Sequence, residues 1–250
     1  MIKTIYLHKP VTDSTMDDAK AALKKGYGHG TVCSAGTQRK GKGRVEGRTW
    51  QDNGESLLFT FIIDKKFYKA AYPVTQAAAY ALIKYLENNH GIRGSIKWPN
   101  DVLVEGRKIA GILAEAEGDF YLTGIGVNIN QQEFKGSYRT EPISLVMLYK
   151  EKSSNIPDNH YAAGTAGKFS PEKEMKALVN ELSAVLENPP DIKLIEKHLW
   201  QLGKNVKVHM GDPNGNSYLS GTAAGLAEDG ALAVLTGEGE IKLVYSGELD

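Results

Sequence analysis

The chain has 250 residues, 41% hydrophobic and 24% charged, enough apolar material for a packed core and incompatible with wholesale disorder. Thirty basic residues balance thirty acidic ones, so no chain-wide field is available to grip nucleic acid or a membrane, and any anion site must be local. The single cysteine, Cys33, excludes an intramolecular disulfide and a multi-cysteine zinc site. The N-terminus lacks a signal-peptide pattern, and no apolar run approaches the roughly 18 residues that span a bilayer. The expected location is cytoplasmic, with no membrane partner.

Ser14 or Thr15 caps a first helix running to Gly26, with Met16, Ala19, Ala22 and Leu23 on one face. Glu55 to Ile63 is β-rich and bounded by Asn53-Gly54 and Asp64. Pro73 opens a second helix, apolar at Val74, Ala77, Ala78, Ala81, Leu82, Tyr85 and Leu86, which stops near Asn89-His90-Gly91. Val102 to Val104, a turn at Glu105-Gly106 and Ile109 to Ala114 read as a hairpin, and Phe120 to Ile129 as a further strand.

The polar stretch Asn155 to Gly167 reads as a loop. Ser170-Pro171 starts a third helix ended by Pro189-Pro190, and a shorter helix follows from Asp191 to Trp200. Helices interleaved with hairpins indicate an α+β domain rather than a parallel βαβ array. After Gly203 the helical periodicity ends. Val206 to Val208, Tyr218 to Thr222, Ala231 to Leu235 and Ile241 to Tyr245 are short strands between Gly/Asp/Asn turns. That texture fits a small β-barrel of roughly 45–50 residues, which leans on a neighbour for stability. The boundary falls near residue 201, giving units 1–200 and 201–250.

Three segments carry chemistry. Gln38-Arg39-Lys40-Gly41-Lys42-Gly43-Arg44 is glycine-rich and basic, and with Arg48 it forms a local cationic window opposed only by Glu46. Its glycines let backbone N–H groups approach an anion. It is neither a P-loop nor a Rossmann turn, lacking GxxxxGK[ST] and the strand–GxGxxG–helix context. Taken alone, a solvated basic turn explains it equally well.

Lys97-Trp98-Pro99-Asn100-Asp101 is a rigid corner, because Pro99 fixes its own φ and holds Trp98 extended. Alone, it reads more readily as an ordinary turn with a stray carboxylate. Lys108 precedes the apolar run Ile109-Ala110-Gly111-Ile112-Leu113 on the partner strand of the hairpin, so it and Asp101 are expected to face one cleft. Gly111 leaves room for a flat ligand against the strand. Gly124-Ile125-Gly126-Val127-Asn128 adds two more close-approach glycines and an amide able to pair a purine edge, or is a glycine-weakened core strand. No histidines fall at metal-ligand spacing, so no protein-held metal is expected.

These blocks, in this order, resemble the biotin–protein ligases (biotin–[acetyl-CoA-carboxylase] ligases), with Asp13-Ser14-Thr15 and Trp50 as further matches and the β-rich C-terminus matching the family's small domain. The resemblance implies a class II synthetase-like α+β catalytic domain followed by a C-terminal SH3-like barrel. It implies activation of biotin by Mg2+-ATP to biotinyl-5′-AMP, then transfer to a lysine of a biotin carboxyl carrier protein.

By the same resemblance, Lys108, Asp101 and Arg44 are catalytic, with Asp101 orienting or deprotonating the acceptor amine. Ser14, Thr15, Met16, Gln38 and Gly41 line the biotin pocket together with Lys42, Gly43, Arg44, Lys108 and Gly111. Lys42, Arg44, Trp50, Asn100, Lys108 and Asn128 contact the nucleotide. The loop Lys40 to Arg48 is expected to close over the anhydride and exclude water.

Met16 stands where the family often has asparagine, Lys42 replaces a frequent arginine, and an extra residue lies near Val45-Glu46. Weaker ligand retention is the expectation. The Asp13 block begins so near the start that no DNA-binding helix-turn-helix, and hence no DNA partner, is expected; a homodimer is allowed. The competing readings are a lipoate or octanoate ligase of the same superfamily and a non-enzymatic RNA-binding module. The first is disfavoured by the Trp-Pro and glycine-basic blocks, the second by the zero net charge.

Overall fold

The computed structural model describes residues 2–44, 49–50, 52–155, 168–210 and 217–249. In chain order they form β1 (Ile5–Thr12), α1 (Thr15–Lys24), β2 (Thr31–Gln38), β3 (Ser56–Asp64), a 3-10 turn (Lys65–Phe67), α2 (Val74–His90), β4 (Ser95–Lys97), β5 (Asp101–Val104), β6 (Arg107–Glu117) and β7 (Phe120–Asn128). Then follow α3 (Leu145–Asn155), α4 (Pro171–Glu187), α5 (Ile192–Glu196), β8 (Asn205–His209), β9 (Tyr218–Leu226), β10 (Leu232–Leu235), β11 (Ile241–Val244) and β12 (Glu248–Leu249).

The first seven strands make one sheet in the order β1-β2-β3-β7-β6-β5-β4, and the last five make a second, β11-β10-β9-β8-β12. The chain is therefore α+β, as expected, with one departure. β1 and β2 run parallel, joined by α1 as a βαβ unit, while every other pair in the large sheet is antiparallel.

β3 shows how the layers form. It is buried on both faces, and its side chains alternate between two environments. Leu57, Phe59, Phe61 and Ile63 enter the main core with α2 and α4, whereas Ile62 joins Met16, Ala19, Ala22, Cys33 and Leu122 under α1. Burying each such side chain is worth about 1.5–3 kcal/mol. α1 thus covers one face of the sheet beside a shallow opening, and the long helices seal the other.

Helix ends follow their local chemistry. Ser14 caps α1 by accepting from Met16 N, Ser170 caps α4 ahead of Pro171, and Gly91 closes α2 in the left-handed conformation at φ 61°. The helix expected over Asp191 to Trp200 stops at Glu196. Beyond it the backbone pairs with β4 instead: Ile96 N donates to His198 O at 2.7 Å and Trp200 N to Ile96 O at 2.8 Å. Residues 156–167, read from sequence as loop, lie outside the described residues, as do 45–48 of the basic loop.

The small sheet shares the main core through Val206, Val208, Ala223, Leu226, Leu232, Val234, Val244 and Leu249. Gly230 O ties it to the rest, accepting from Gln76 Nε2 at 2.7 Å and Trp98 Nε1 at 3.2 Å. No helix among the described residues is long and apolar enough to cross a membrane.

Candidate active site

The strand register builds the floor of a cleft on the α1 face. Leu58 lies opposite Gly126, Gly126 opposite Gly111, Gly111 opposite Asp101, and Asp101 opposite Lys97, one row across five strands. A neighbouring row places Thr60 opposite Gly124 and Gly124 opposite Leu113. Two glycines in the centre of the first row leave the sheet bare there. The Trp50 indole lies over them, so close that a Cβ on Gly126 would meet it at 2.8 Å and one on Gly111 at 3.2 Å.

At one end of the cleft is the start of α1. Gln38 Oε1 accepts from Thr15 N at 2.7 Å and Thr15 Oγ1 at 3.1 Å, and Thr60 Oγ1 donates to Thr15 Oγ1 at 2.9 Å. Ser14, Thr15 and Gln38 line the wall as a preorganised polar group. Met16 also lines it, but it is 3% exposed, and its sulfur would sit 2.9 Å from a Cβ on Gly124. It is a core side chain that shows one edge to the cleft. Cys33 lies beneath it, and burial pushes its thiol up to about 11, so it is no nucleophile at neutral pH.

At the other end stand Asp101 and Lys108. Lys108 Nζ is 2.8 Å from Asp101 Oδ1. The pair is half-buried, and Asp101 Oδ1 is turned to the ammonium and away from solvent. Asn100 is locked by exchanging bonds with Ile112, Nδ2 to Ile112 O and Ile112 N to Asn100 O, each 2.9 Å. The Trp98–Pro99 peptide of this corner is cis. The narrow cavity, about 160 Å³, opens past Asp101 and Lys108 into a wider one of about 430 Å³ lined by Lys97, Ser137, Tyr138 and Arg139.

Residues 40–44 of the basic loop stand at the mouth. Lys42 Nζ pairs with Asp17 Oδ1 at 2.6 Å and Lys40 with Asp13 at 2.9 Å; the Lys40 hydrogen bond and charge hold the Asp13 carboxyl below its ordinary range. Arg44 Nη2 donates to Gly247 O at 2.5 Å and stands 4.0 Å from Glu248 Oε1. Lys42, Gly43 and Arg44 line the cleft. Gly41 stands behind them, where a Cβ would meet Trp50 O at 3.0 Å.

Of the residues singled out in the sequence, Ser14, Thr15, Met16, Gln38, Lys42, Gly43, Arg44, Trp50, Asn100, Asp101, Lys108 and Gly111 converge on this one cleft. Asn128 does not line it. Its Nδ2 donates to Lys108 O at 3.3 Å and its Oδ1 meets Gln131 Nε2 at 3.5 Å, so both ends of the amide are engaged in the wall behind. Sequence reasoning missed Glu248, which lines both cavities from the far end of the chain, and Arg139, which pairs with it. It also passed over the apolar wall of Leu58 and Leu113. Only the alternating pattern of their strands marks those two as facing something.

The biotin/lipoate A/B protein ligase family matches residues 9–130, the stretch that carries β2 to β7 and the glycine floor of the cleft. The biotin protein ligase C-terminal domain matches residues 202–250. The chain belongs to the biotin protein ligases.

Its relatives agree. It is 27% identical to the bifunctional ligase/repressor BirA of Bacillus subtilis, over 98% of this chain and 73% of that one. It is 34% identical to the biotin–[acetyl-CoA-carboxylase] ligase of Paracoccus denitrificans, over 54% of this chain and 60% of that one. The biotin protein ligase of Aquifex aeolicus in complex with biotin and ATP superposes with a TM-score of 0.77 at 26% identity, covering 98% of this chain and 97% of that one.

Proposed function

We propose that this biotin ligase divides its two half-reactions between the two sides of the Lys108–Asp101 pair. The enzyme activates biotin with ATP and transfers it to a lysine of a carrier protein. In the first step a biotin carboxylate oxygen bonds to the α-phosphorus of ATP and pyrophosphate leaves, giving biotinyl-5′-AMP. In the second, the lysine nitrogen bonds to the acyl carbon, AMP leaves with the bonding pair, and the amine proton is given up.

Ser14, Thr15 and Gln38 offer hydroxyl and amide groups to the polar head of biotin. Gly111 lets the Trp50 indole and the Lys108 ammonium lie close to the sheet beside its chain, Gly41 and Gly43 keep the loop close, and the edge of Met16 closes the floor. Lys42, Arg44 and Lys108 supply fixed positive charge where two anions must meet, the largest barrier of the first step. Trp50 stacks beside the adenine, and Asn100 and Asn128 hold the strand ends that face the nucleotide. Mg2+ enters on the phosphates of ATP as part of that substrate. Among the described residues no three His, Cys, Asp or Glu side chains cluster to hold a metal of their own.

Asp101 receives or orients the acceptor amine; its place beside Lys108, lining both cavities, supports that assignment. Residues 1–200 form the catalytic unit and 201–250 an SH3-like unit packed against it; the enzyme works in the cytoplasm on a carboxylase carrier subunit. The test offers ATP with biotin or lipoate and follows pyrophosphate release, then label transfer to a purified carrier domain. Biotin-dependent release with transfer is expected; release with lipoate alone would overturn the biotin assignment.

A further inference from the structure

We infer that Glu248 is a positioning residue for adenylation, acting through Arg44 from the last strand of the small sheet. The inference rests on the ligase reading above and assigns to that reaction a residue more than 200 positions from the basic loop.

Three contacts link segments remote in sequence. Lys97 Nζ donates to Thr140 Oγ1 at 3.0 Å, fixing the segment before α3 against the Trp-Pro corner. The adjacent Arg139 pairs with Glu248 Oε2. The preceding residue, Gly247, presents its carbonyl to Arg44 Nη2 at 2.5 Å, with Glu248 Oε1 4.0 Å from the same guanidinium.

Two pairs join β12 to β8, Glu248 with His209 and Leu249 with Val208, and Leu249 is buried in the main core, so the strand end is anchored beside the cleft. The Glu248 side chain is 14% exposed and faces the cleft rather than solvent.

A guanidinium on a glycine-flanked loop loses much side-chain entropy when it clamps a phosphate. Holding it in place beforehand lowers that loss, so the contact should act on ATP binding and turnover in the first step. The second step starts from an adenylate already made and needs no such clamp on an incoming triphosphate. Glu248→Gln keeps the shape and removes the charge; Arg139→Gln attacks the same contact from outside the loop, and Arg139→Lys retains the charge.

The experiment measures both half-reactions on the full chain. Biotin-dependent pyrophosphate release is followed across ATP concentrations, and amide formation on a carrier domain is started from chemically prepared biotinyl-5′-AMP. Glu248→Gln and Arg139→Gln should each raise KM for ATP about tenfold, with transfer from the prepared adenylate within about twofold of wild type. Arg139→Lys should recover most of the loss. An unchanged KM for ATP in Glu248→Gln would overturn the inference. So would an equal loss in both half-reactions with a lowered thermal midpoint, which marks a strut between domains. If the wild-type protein released no pyrophosphate with biotin, the ligase reading itself would fall.

Discussion

Lys108 Nζ lies 2.8 Å from Asp101 Oδ1 although the two residues are not paired across the hairpin. Lys108 faces Leu103 and Asp101 faces Gly111, because the register shifts between Val102 and Leu103. Ile109 is the extra residue of the bulge. In an unbroken strand, residues 108 and 111 point to opposite faces; one inserted residue turns both to the same face. The bulge is therefore what lets Lys108, Gly111 and Asp101 meet in one cleft.

The glycine floor should tolerate no methyl group under the indole. Gly126→Ala places a Cβ 2.8 Å from Trp50 and must displace the ring. The variant should fold normally and raise KM for ATP about tenfold, with biotin binding changed less. Steady-state kinetics and calorimetry check this. Unaltered KM would show that the position of Trp50 does not matter to the nucleotide.

Met16 should report on stability more than on specificity. It is 3% exposed within the cluster under α1. Met16→Ala should cost about 2–5 kcal/mol in urea unfolding. Met16→Asn buries an amide in an apolar cluster and should cost about 1–3 kcal/mol unless a ligand pairs it. Calorimetry should find biotinyl-5′-AMP held more weakly than nanomolar by the wild type; nanomolar affinity would remove the expectation that Met16 and Lys42 weaken retention.

A buried carboxylate away from the cleft gives a pH test. Burial alone would raise the pKa of Glu174, but hydrogen bonds from His90 and Tyr85, with the charges of His90 and Lys173, outweigh it and hold the carboxyl below its ordinary range. The contacts are 3.1 Å to His90 Nε2 and 2.6 Å to Tyr85 Oη, and Tyr149 closes the cluster on His90 Nδ1 at 3.0 Å. A lowered folded-state pKa stabilises above the ordinary carboxylate pKa and is lost as pH falls through the folded value. Glu174→Gln should be less stable than wild type by about 1–3 kcal/mol at pH 7, with the gap closing as pH falls below about 4. A gap constant from pH 7 to pH 3 would contradict this.

Much of the fold was legible where local chemistry is decisive. Ser14, Pro73, Gly91 and Ser170-Pro171 marked helix ends, and the structure places the ends there within a residue or two. Strand β1 was not legible: it is an edge strand, largely exposed, and lacks the alternation that marks a half-buried strand. The cleft residues near the basic and Trp-Pro blocks were visible as residue types.

That Lys108 and Asp101 face one cleft was legible from the hairpin; the bulge at Ile109 and the pairing of Gly111 with Gly126, which bring Gly111 and Trp50 to the same place, were not. Asn128 was misleading for a related reason: its amide faces the cleft side of β7 but is consumed by Lys108 O and Gln131. Glu248 left no trace, because its role comes from how a two-residue strand docks beside Arg44.

The most direct measurement separates the half-reactions at the Lys108–Asp101 pair, in single turnovers of Lys108→Ala and Asp101→Asn. Lys108→Ala should lose about 10²–10³ in the rate of biotinyl-5′-AMP formation. Asp101→Asn should still form the adenylate but transfer it to the carrier lysine about 10²–10⁴ more slowly. Transfer by Asp101→Asn at the wild-type rate, or adenylation by Lys108→Ala at the wild-type rate, would contradict the division of labour assigned to this pair.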